Sequence, residues 1–93
     1  MKSEVFERVY VDVKAAFKAA GSLIPLEIKW VDGEIFEIDK VTDVRQAAAM
    51  KAGGQGDRYE VWIRGKQSYL FFERSGALSG SNIGRWFVES RCI

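Results

Sequence analysis

Apolar and polar residues alternate over residues 26–38, on both sides of an Asp-Gly pair, which is typical of a β-hairpin. A two-residue turn at Asp32-Gly33 would mix apolar and charged side chains on each face, whereas a three-residue loop over residues 31–33 segregates them. The side chains gathered on one face are then Leu26, Ile28, Trp30, Phe36 and Ile38. Because a slip of one residue exchanges the two faces, we predict the three-residue loop, with Gly33 in the left-handed conformation of a bulge.

A second hairpin is predicted over residues 58–74. Gly65 and Lys66 suit a two-residue turn with glycine first, which pairs Arg64 with Gln67. One face then carries the predicted core side chains Tyr59, Val61, Ile63, Leu70 and Phe72. The opposite face carries Arg58, Glu60, Trp62, Tyr69, Phe71 and Glu73, with Arg58 beside Glu73.

Residues 3–21 fit two different periods. As a helix they place an apolar stripe between Ser3 as N-cap and Gly21, and as a strand they alternate valines with polar residues. Four valines between residues 5 and 13 are costly in a helix relative to a strand. We therefore predict a strand from about Arg8 to Ala16.

The remaining segments complete the predicted elements. Residues 42–53 are predicted as a short helix between Thr42 and Gly53, although an extended connection fits nearly as well. Residues 85–89 are predicted as a closing strand that follows a polar loop over residues 75–84.

About six strands in 93 residues, linked by short turns, predict a mainly β domain. We expect an antiparallel meander curled into a small barrel or half-barrel. If residues 42–53 are helical, the class becomes α+β with one short helix. A chain of this length closes a single core, so one domain over residues 1–93 is predicted.

The N-terminal region carries acidic residues at Glu4 and Glu7 where a signal peptide has an apolar block. No stretch approaches the roughly 20 apolar residues of a membrane span. We therefore predict a cytoplasmic protein with no membrane contact.

The net charge of the chain is +1, but the charges are unevenly distributed. Residues 1–43 hold six basic and nine acidic side chains, whereas residues 44–93 hold eight basic and four acidic side chains. Such an asymmetry can mark an anion-facing surface.

Histidine is absent and cysteine occurs once, as Cys92. This composition removes Ser-His and Cys-His nucleophile pairs, and it removes the nitrogen and sulfur ligands of a zinc site. The glycine-rich run at residues 53–56 lacks phosphate-loop spacing and precedes a strand, whereas phosphate loops open a helix. We therefore predict a non-enzymatic domain with no cofactor and no metal.

Arginines and aromatic residues are interleaved along the 58–74 hairpin and form its candidate binding surface. The members of this surface are Arg58, Trp62, Arg64, Lys66, Tyr69 and Phe71. Rings flanked by arginines can stack on bases while the cations contact phosphates, so single-stranded nucleic acid is one predicted partner. The same rings could instead pack beneath residues 42–53 or 75–84. An exposed strand edge would favour a homodimer or another protein, and a protein partner is the leading prediction.

Several runs carry a family resemblance: IPLEIKWVDGEIFEIDKV, GGQGDRYEVWIRG, YLFFE and RWFVE. They resemble a family of small bacterial proteins of Firmicute type whose function is unknown. The likeness covers residues 9–89 except the segment SGALSGSNIG, where a tighter turn is expected. The order of Trp30, Gly33, Val41, Asp43, Arg58, Tyr59 and Trp86 also resembles a β-rich domain at the end of proteins related to translesion DNA polymerases. Both resemblances imply a β-rich fold, and neither implies catalytic residues.

Overall fold

The described residues form seven β-strands in one sheet. The computed structural model describes residues 5–47, 56–79 and 82–92. In chain order the strands are β1 (Val5–Phe17), β2 (Leu23–Lys29), β3 (Ile35–Glu37), β4 (Lys40–Ala47), β5 (Gly56–Ile63), β6 (Lys66–Ser79) and β7 (Asn82–Cys92). Neighbouring strands are antiparallel in the order β3-β2-β1-β7-β6-β5-β4, and the sheet curls into an open half-barrel. The predicted β meander is confirmed, with seven strands rather than six.

The strand interpretation of the N-terminal segment is confirmed, because β1 runs over 13 residues. It pairs with β2 on one side and with β7 on the other. Val11 is buried, and Val9 and Val13 pack beside it against the same core. Alternate valines on one face and polar residues on the other are what a half-buried strand requires.

The first hairpin has the predicted register. Ile28 lies opposite Phe36, and the Trp30 amide donates to the Glu34 carbonyl oxygen at 2.8 Å. Gly33 has a φ of 94°, the left-handed conformation that the three-residue loop needs. Segregation of apolar side chains therefore selected the correct register.

The second hairpin has the predicted faces but a different turn. Arg64 and Gly65 occupy the turn with φ of 52° and 76°, so Ile63 pairs with Lys66. Two positive φ values give a turn whose twist matches that of the strands, which favours this placement. The pairing differs from the predicted one by two residues along β6, and a slip of two leaves every side chain on its predicted face. The predicted Arg58–Glu73 pair is wrong, since Arg58 lies opposite Phe71.

The predicted helix at residues 42–53 is wrong where the structure describes it, because residues 40–47 form β4. Val41 and Val44 favour a strand, and β4 gains a backbone ladder with β5 that no local propensity reports. Residues 48–55 lie outside the described part of the chain. The described residues contain no helix, and the predicted mainly β class is confirmed. None of the described segments is a helix that could cross a membrane.

The polar loop predicted over residues 75–84 is also wrong. β6 continues to Ser79 and β7 begins at Asn82, with a register irregularity between Arg74 and Ser79. The closing strand is therefore longer than residues 85–89. Glycine and serine content indicated a loop, but a bulged hairpin accommodates the same composition.

The half-barrel holds its larger core on its inner face. We call inner the face that carries the buried side chains Val11, Ile28, Tyr59, Val61, Leu70 and Phe72. We call outer the opposite face, which carries the buried pair Phe71 and Phe87. Tyr59, Val61, Leu70 and Phe72 were predicted as core, and all four are buried.

Tyr59 ties together two strands that are not neighbours in the sheet. Its ring packs at 5.2 Å from that of Trp86, and its hydroxyl donates to the Leu23 carbonyl oxygen on β2 at 2.8 Å. Burial, reinforced by the charge of Asp57, raises the pKa of the Tyr59 hydroxyl, so that group stays protonated as the donor. This bond spans the interior of the half-barrel from β5 to β2.

We expect Tyr59→Phe to lower the free energy of unfolding by about 1 kcal/mol, because it leaves the Leu23 carbonyl without its donor. Urea denaturation followed by fluorescence measures the change. The matched control is Tyr69→Phe, whose ring is 43% exposed and whose change should stay within about 0.5 kcal/mol. Equal effects of the two substitutions would contradict a role for the interior bond.

Candidate interaction surfaces

An aromatic row crosses the outer face of three neighbouring strands. Tyr10 on β1, Phe87 on β7 and Phe71 on β6 lie directly opposite one another. The rings of Phe71 and Phe87 stack at 5.1 Å with 10° between their planes, and Tyr10 meets Phe87 edge-on at 5.6 Å. Phe87 is fully buried and Phe71 is 6% exposed. Phe71 therefore belongs to a core cluster, and its assignment to the binding surface is wrong.

Glu73 joins three side chains at one end of this row. Its carboxylate accepts hydrogen bonds from Arg8, from the Tyr10 hydroxyl at 3.2 Å and from Arg85 at 2.9 Å. Arg85 also lies 4.2 Å above the Tyr10 ring. Burial alone would raise the pKa of Glu73, but the hydrogen bonds from Arg85 and Tyr10 and the charge of Arg8 outweigh it and lower that pKa. This network holds β1, β6 and β7 together on their outer side.

The other predicted surface residues do not form one patch. Arg58, Trp62 and Tyr69 share the outer face of β5 and β6, and the Arg58 guanidinium lies 4.7 Å above the half-exposed Tyr69 ring. Trp62 donates from its indole nitrogen to the Thr42 hydroxyl at 3.2 Å. Lys66 is exposed at the start of β6.

Arg64 instead reaches the first hairpin. Its guanidinium donates to Glu34 at 3.1 Å and lies 4.6 Å above the ring of Phe36. It therefore fastens the β5–β6 turn to the start of β3. A structural role explains these contacts, and Arg64 lies in the turn rather than on the outer face with Arg58 and Tyr69.

Acidic side chains break the outer face of β5 into segments of opposite charge. Glu60 lies between Arg58 and Trp62 along the strand, directly opposite Tyr69 on one side and Asp43 on the other. Its carboxylate accepts a hydrogen bond from Thr42 at 2.6 Å. The charge asymmetry of the sequence therefore does not become a uniformly basic surface here.

The edge of β4 was not predicted from the sequence. β4 has eight residues and pairs with β5, and within the described residues no strand pairs with its other side. The opposite edge of the sheet, β3, has three residues. Long edge strands attract further strands, whereas short ones are a common protection. The only local sequence signals for β4 were the valines of the segment predicted as a helix.

The backbone of β4 directs the polar groups of Val44 and Gln46 away from β5. The two-residue turn makes Ile63 and Lys66 a hydrogen-bonded pair, so alternate residues of β5 point toward β4. The Trp62 and Glu60 carbonyl oxygens do so, since they accept from the Asp39 amide at 2.7 Å and the Thr42 hydroxyl at 3.4 Å. On β4 the residues that bond to β5 are then those opposite Glu60 and Arg58. They are Asp43 and Arg45.

A cleft separates the edge of β4 from β2. It has a volume of about 590 Å³ and is lined by residues 24–26 of β2 and residues 38–44 around the start of β4. A second cleft of about 500 Å³ shares Ile24 and Val44 with the first and continues to Phe17 and Ile83. Leu26, Val44, Phe17 and Ile83 are all more than 40% exposed. The seam of the half-barrel thus holds two neighbouring clefts beside an edge strand, in which these exposed apolar side chains lie among polar ones such as Asp39 and Lys40.

We expect Glu73→Gln to lower the free energy of unfolding by about 1 kcal/mol at neutral pH, because the three donors lose a charged acceptor. The folded-state pKa of Glu73 lies below its ordinary value of 4.5, so its charged form stabilises the fold above that pH. This contribution is lost as the pH falls through the folded-state pKa, and the difference between wild type and variant should then narrow. Urea denaturation at a series of pH values measures it.

The control for this pH series is Glu37→Gln on the exposed side of β3, which should change stability by less than about 0.5 kcal/mol at neutral pH. A difference between wild type and Glu73→Gln that grows as the pH falls would contradict the assigned network.

Searches with family models, curated proteins and solved structures found no match to the chain. The two family resemblances in the sequence therefore stay predictions. The case for function rests on the geometry of the half-barrel itself.

Proposed function

We propose that this protein is a small binding module that accepts an extended polypeptide strand along β4. The single observation that carries the proposal is that β4 presents the outward backbone groups of Val44 and Gln46 beside a cleft in which the apolar side chains of Leu26 and Val44 are exposed. Strand addition needs these two features together. Backbone hydrogen bonds supply affinity, and pockets for alternate side chains supply specificity.

The dimensions of the seam suit such a ligand. The regular part of β4 beyond its irregularity at Thr42 is residues 43–47, which span about 16 Å and match an extended segment of about five residues. Side chains on one face of the added strand would enter the clefts near Ile24, Leu26 and Val44. Those on the other face would lie beside Asp43 and Arg45 on the outer side of the sheet. The proposal requires no catalytic step, no cofactor and no metal.

A second candidate function is weak binding of single-stranded nucleic acid through the outer face. Its support is the exposed ring of Tyr69 beneath Arg58, with Trp62 on the same face. Stacking on such rings is sequence-tolerant and accompanies phosphate contacts. The neighbouring Glu60 and Asp43 repel phosphates, and Phe71 is buried. The strand-accepting function is therefore the better supported of the two.

The nucleic-acid candidate predicts that oligothymidylate quenches tryptophan fluorescence at low salt and that added salt reverses the quenching. Trp62→Phe should abolish the signal, since Trp30 and Trp86 pack against the inner core. Tyr69→Ala should weaken binding about tenfold by removing one stacking ring. An emission spectrum that stays unchanged at low salt would remove the support for this candidate.

Proline substitution tests the strand-accepting function. Val44→Pro removes an amide that points away from β5, so the sheet keeps its ladder while an added strand loses a donor. Octapeptides selected from a random displayed library are the probes, and calorimetric titration is the measurement. We expect Val44→Pro to weaken binding about tenfold, the cost of one hydrogen bond.

The matched control is Val44→Thr, which keeps the amide and the β-branched shape and should bind within a few-fold of wild type. Near-ultraviolet circular dichroism confirms that both variants keep their fold. Amide exchange should slow at Val44 and Gln46 when a selected peptide is bound. Peptides that bind Val44→Pro as tightly as wild type, or protect amides elsewhere, would contradict the proposal.

A further inference from the structure

Two charged residues of β4 lie opposite residues of the same charge on β5. On the outer face Asp43 lies directly opposite Glu60, and Arg45 lies directly opposite Arg58. Both cross-strand pairs bring like charges together, which destabilises a sheet. Exchanging Asp43 and Arg45 would convert both pairs into attractive ones. Asp43 and Arg45 contact each other at 2.7 Å within the chain, and opposite charges on the side of β4 away from β5 would offset the two repulsions further.

The sequence of β4 supplies those opposite charges when it is paired with itself. Residues 42–46 read Thr-Asp-Val-Arg-Gln. Two antiparallel copies with Val44 on the two-fold axis place each Asp43 opposite the Arg45 of the other copy. They also place Val44 opposite Val44, while Thr42 lies at the register irregularity of β4 with its hydroxyl on the outer face beside Glu60 and Trp62. Every charged residue of this stretch then has an opposite charge across the new interface.

The neighbouring registers lack this complementarity. A two-fold axis at Asp43 brings two carboxylates face to face, and an axis at Arg45 brings two guanidinium groups face to face. A slip of one residue would join the inner face of one sheet to the outer face of the other. The outward backbone groups of Val44 also suit the central register, because residues on the axis exchange both hydrogen bonds.

We propose that the strand accepted along β4 is β4 of a second copy of this chain, in antiparallel register centred on Val44. The inference rests on the proposed strand-accepting function and names its partner. It joins two sheets into one and covers the 47% exposed Val44 side chain on the inner face. A contact limited to one strand edge is small, so dissociation is expected on the order of 100 µM.

Charge-reversal variants test the dimer, and sedimentation velocity over a concentration series measures their self-association. We expect Asp43→Arg alone and Arg45→Asp alone to weaken self-association at least tenfold each. An equimolar mixture of these two variants should restore association as a heterodimer, and the double variant with both changes should restore the homodimer. The exposed Asp43–Arg45 contact within one chain, 2.7 Å long, is lost in both single variants and is restored only in the double variant. Loss of that contact therefore cannot explain recovery in the mixture.

A disulfide tests the register. Val44→Cys combined with Cys92→Ser places two thiols on the axis, where strand pairing brings the Cα atoms to about 5.5 Å, a distance that a disulfide spans. Oxidation should link this variant into dimers. Gln46→Cys combined with Cys92→Ser is the control, since its two thiols lie four residues apart along the paired strands and should stay unlinked.

The outcomes separate this inference from the proposed function. A wild-type chain that stays monomeric at millimolar concentration overturns the self-pairing, while the octapeptide titration decides the strand-accepting function independently. A dimer that survives both single charge reversals, or a mixture that fails to associate, also overturns it, because another surface must then hold the copies together. Recovery in the mixture together with the Val44 link supports it.

Discussion

The structure depends on a connection of two residues between the two edges of its sheet. β3 and β4 are the outermost strands on opposite sides, yet only Ile38 and Asp39 separate them along the chain. The three steps from Glu37 to Lys40 reach about 11 Å at full extension, so the sheet must curl until its edges come together at this corner. Asp39 secures the corner, because its amide donates to the Trp62 carbonyl oxygen and its carboxylate accepts from the Gly65 amide at 3.3 Å. The ion pair of Arg64 with Glu34 adds a second fastening beside it.

The same connection explains why the half-barrel stays open elsewhere. Once the chain has turned at Ile38 it cannot continue beside β2, so β3 ends after three residues and the first part of β2 faces a cleft instead of a strand. The inner core is completed across that gap by side chains rather than by a backbone ladder. Tyr59 reaches from β5 to Leu23, and Trp86 and Phe72 pack at 4.9 Å beneath it. A closed barrel would have no edge to offer, whereas this arrangement keeps a continuous core and leaves one long strand accessible.

The sequence could predict features that depend on the alternation of side chains along a single strand. It could not predict features that depend on pairing between strands that are remote in sequence. The strand preference of its valines identified β1, and the alternation of side chains placed Tyr59, Val61, Leu70 and Phe72 in the core. The same alternation could not locate the turn at Arg64 and Gly65, because a register slip of two residues leaves each side chain on the same face of the sheet. β4 resembled a helix start because its stabilising partner lies on a separate strand, β5. Phe71 resembled a surface ring because its cover, Phe87 and Tyr10, comes from strands that are remote in sequence. The accessible edge itself is a property of strand order, which no local pattern encodes.

Charge on an edge strand can act in two ways, and the order of charges distinguishes them. A strand that carries one sign of charge repels every copy of itself in every register, which is a general defence against aggregation. β4 carries opposite signs at Asp43 and Arg45 with Val44 between them. Such a strand repels a copy centred on either charge and attracts a copy centred on the valine. The like-charged pairs with Glu60 and Arg58 destabilise each chain. A hydrogen bond from Thr42 to Glu60 and the contact of Arg58 with the Tyr69 ring offset part of that repulsion. The alternation lets Asp43 and Arg45 contact each other within the chain, and it also distinguishes the register centred on Val44 from the registers centred on either charge.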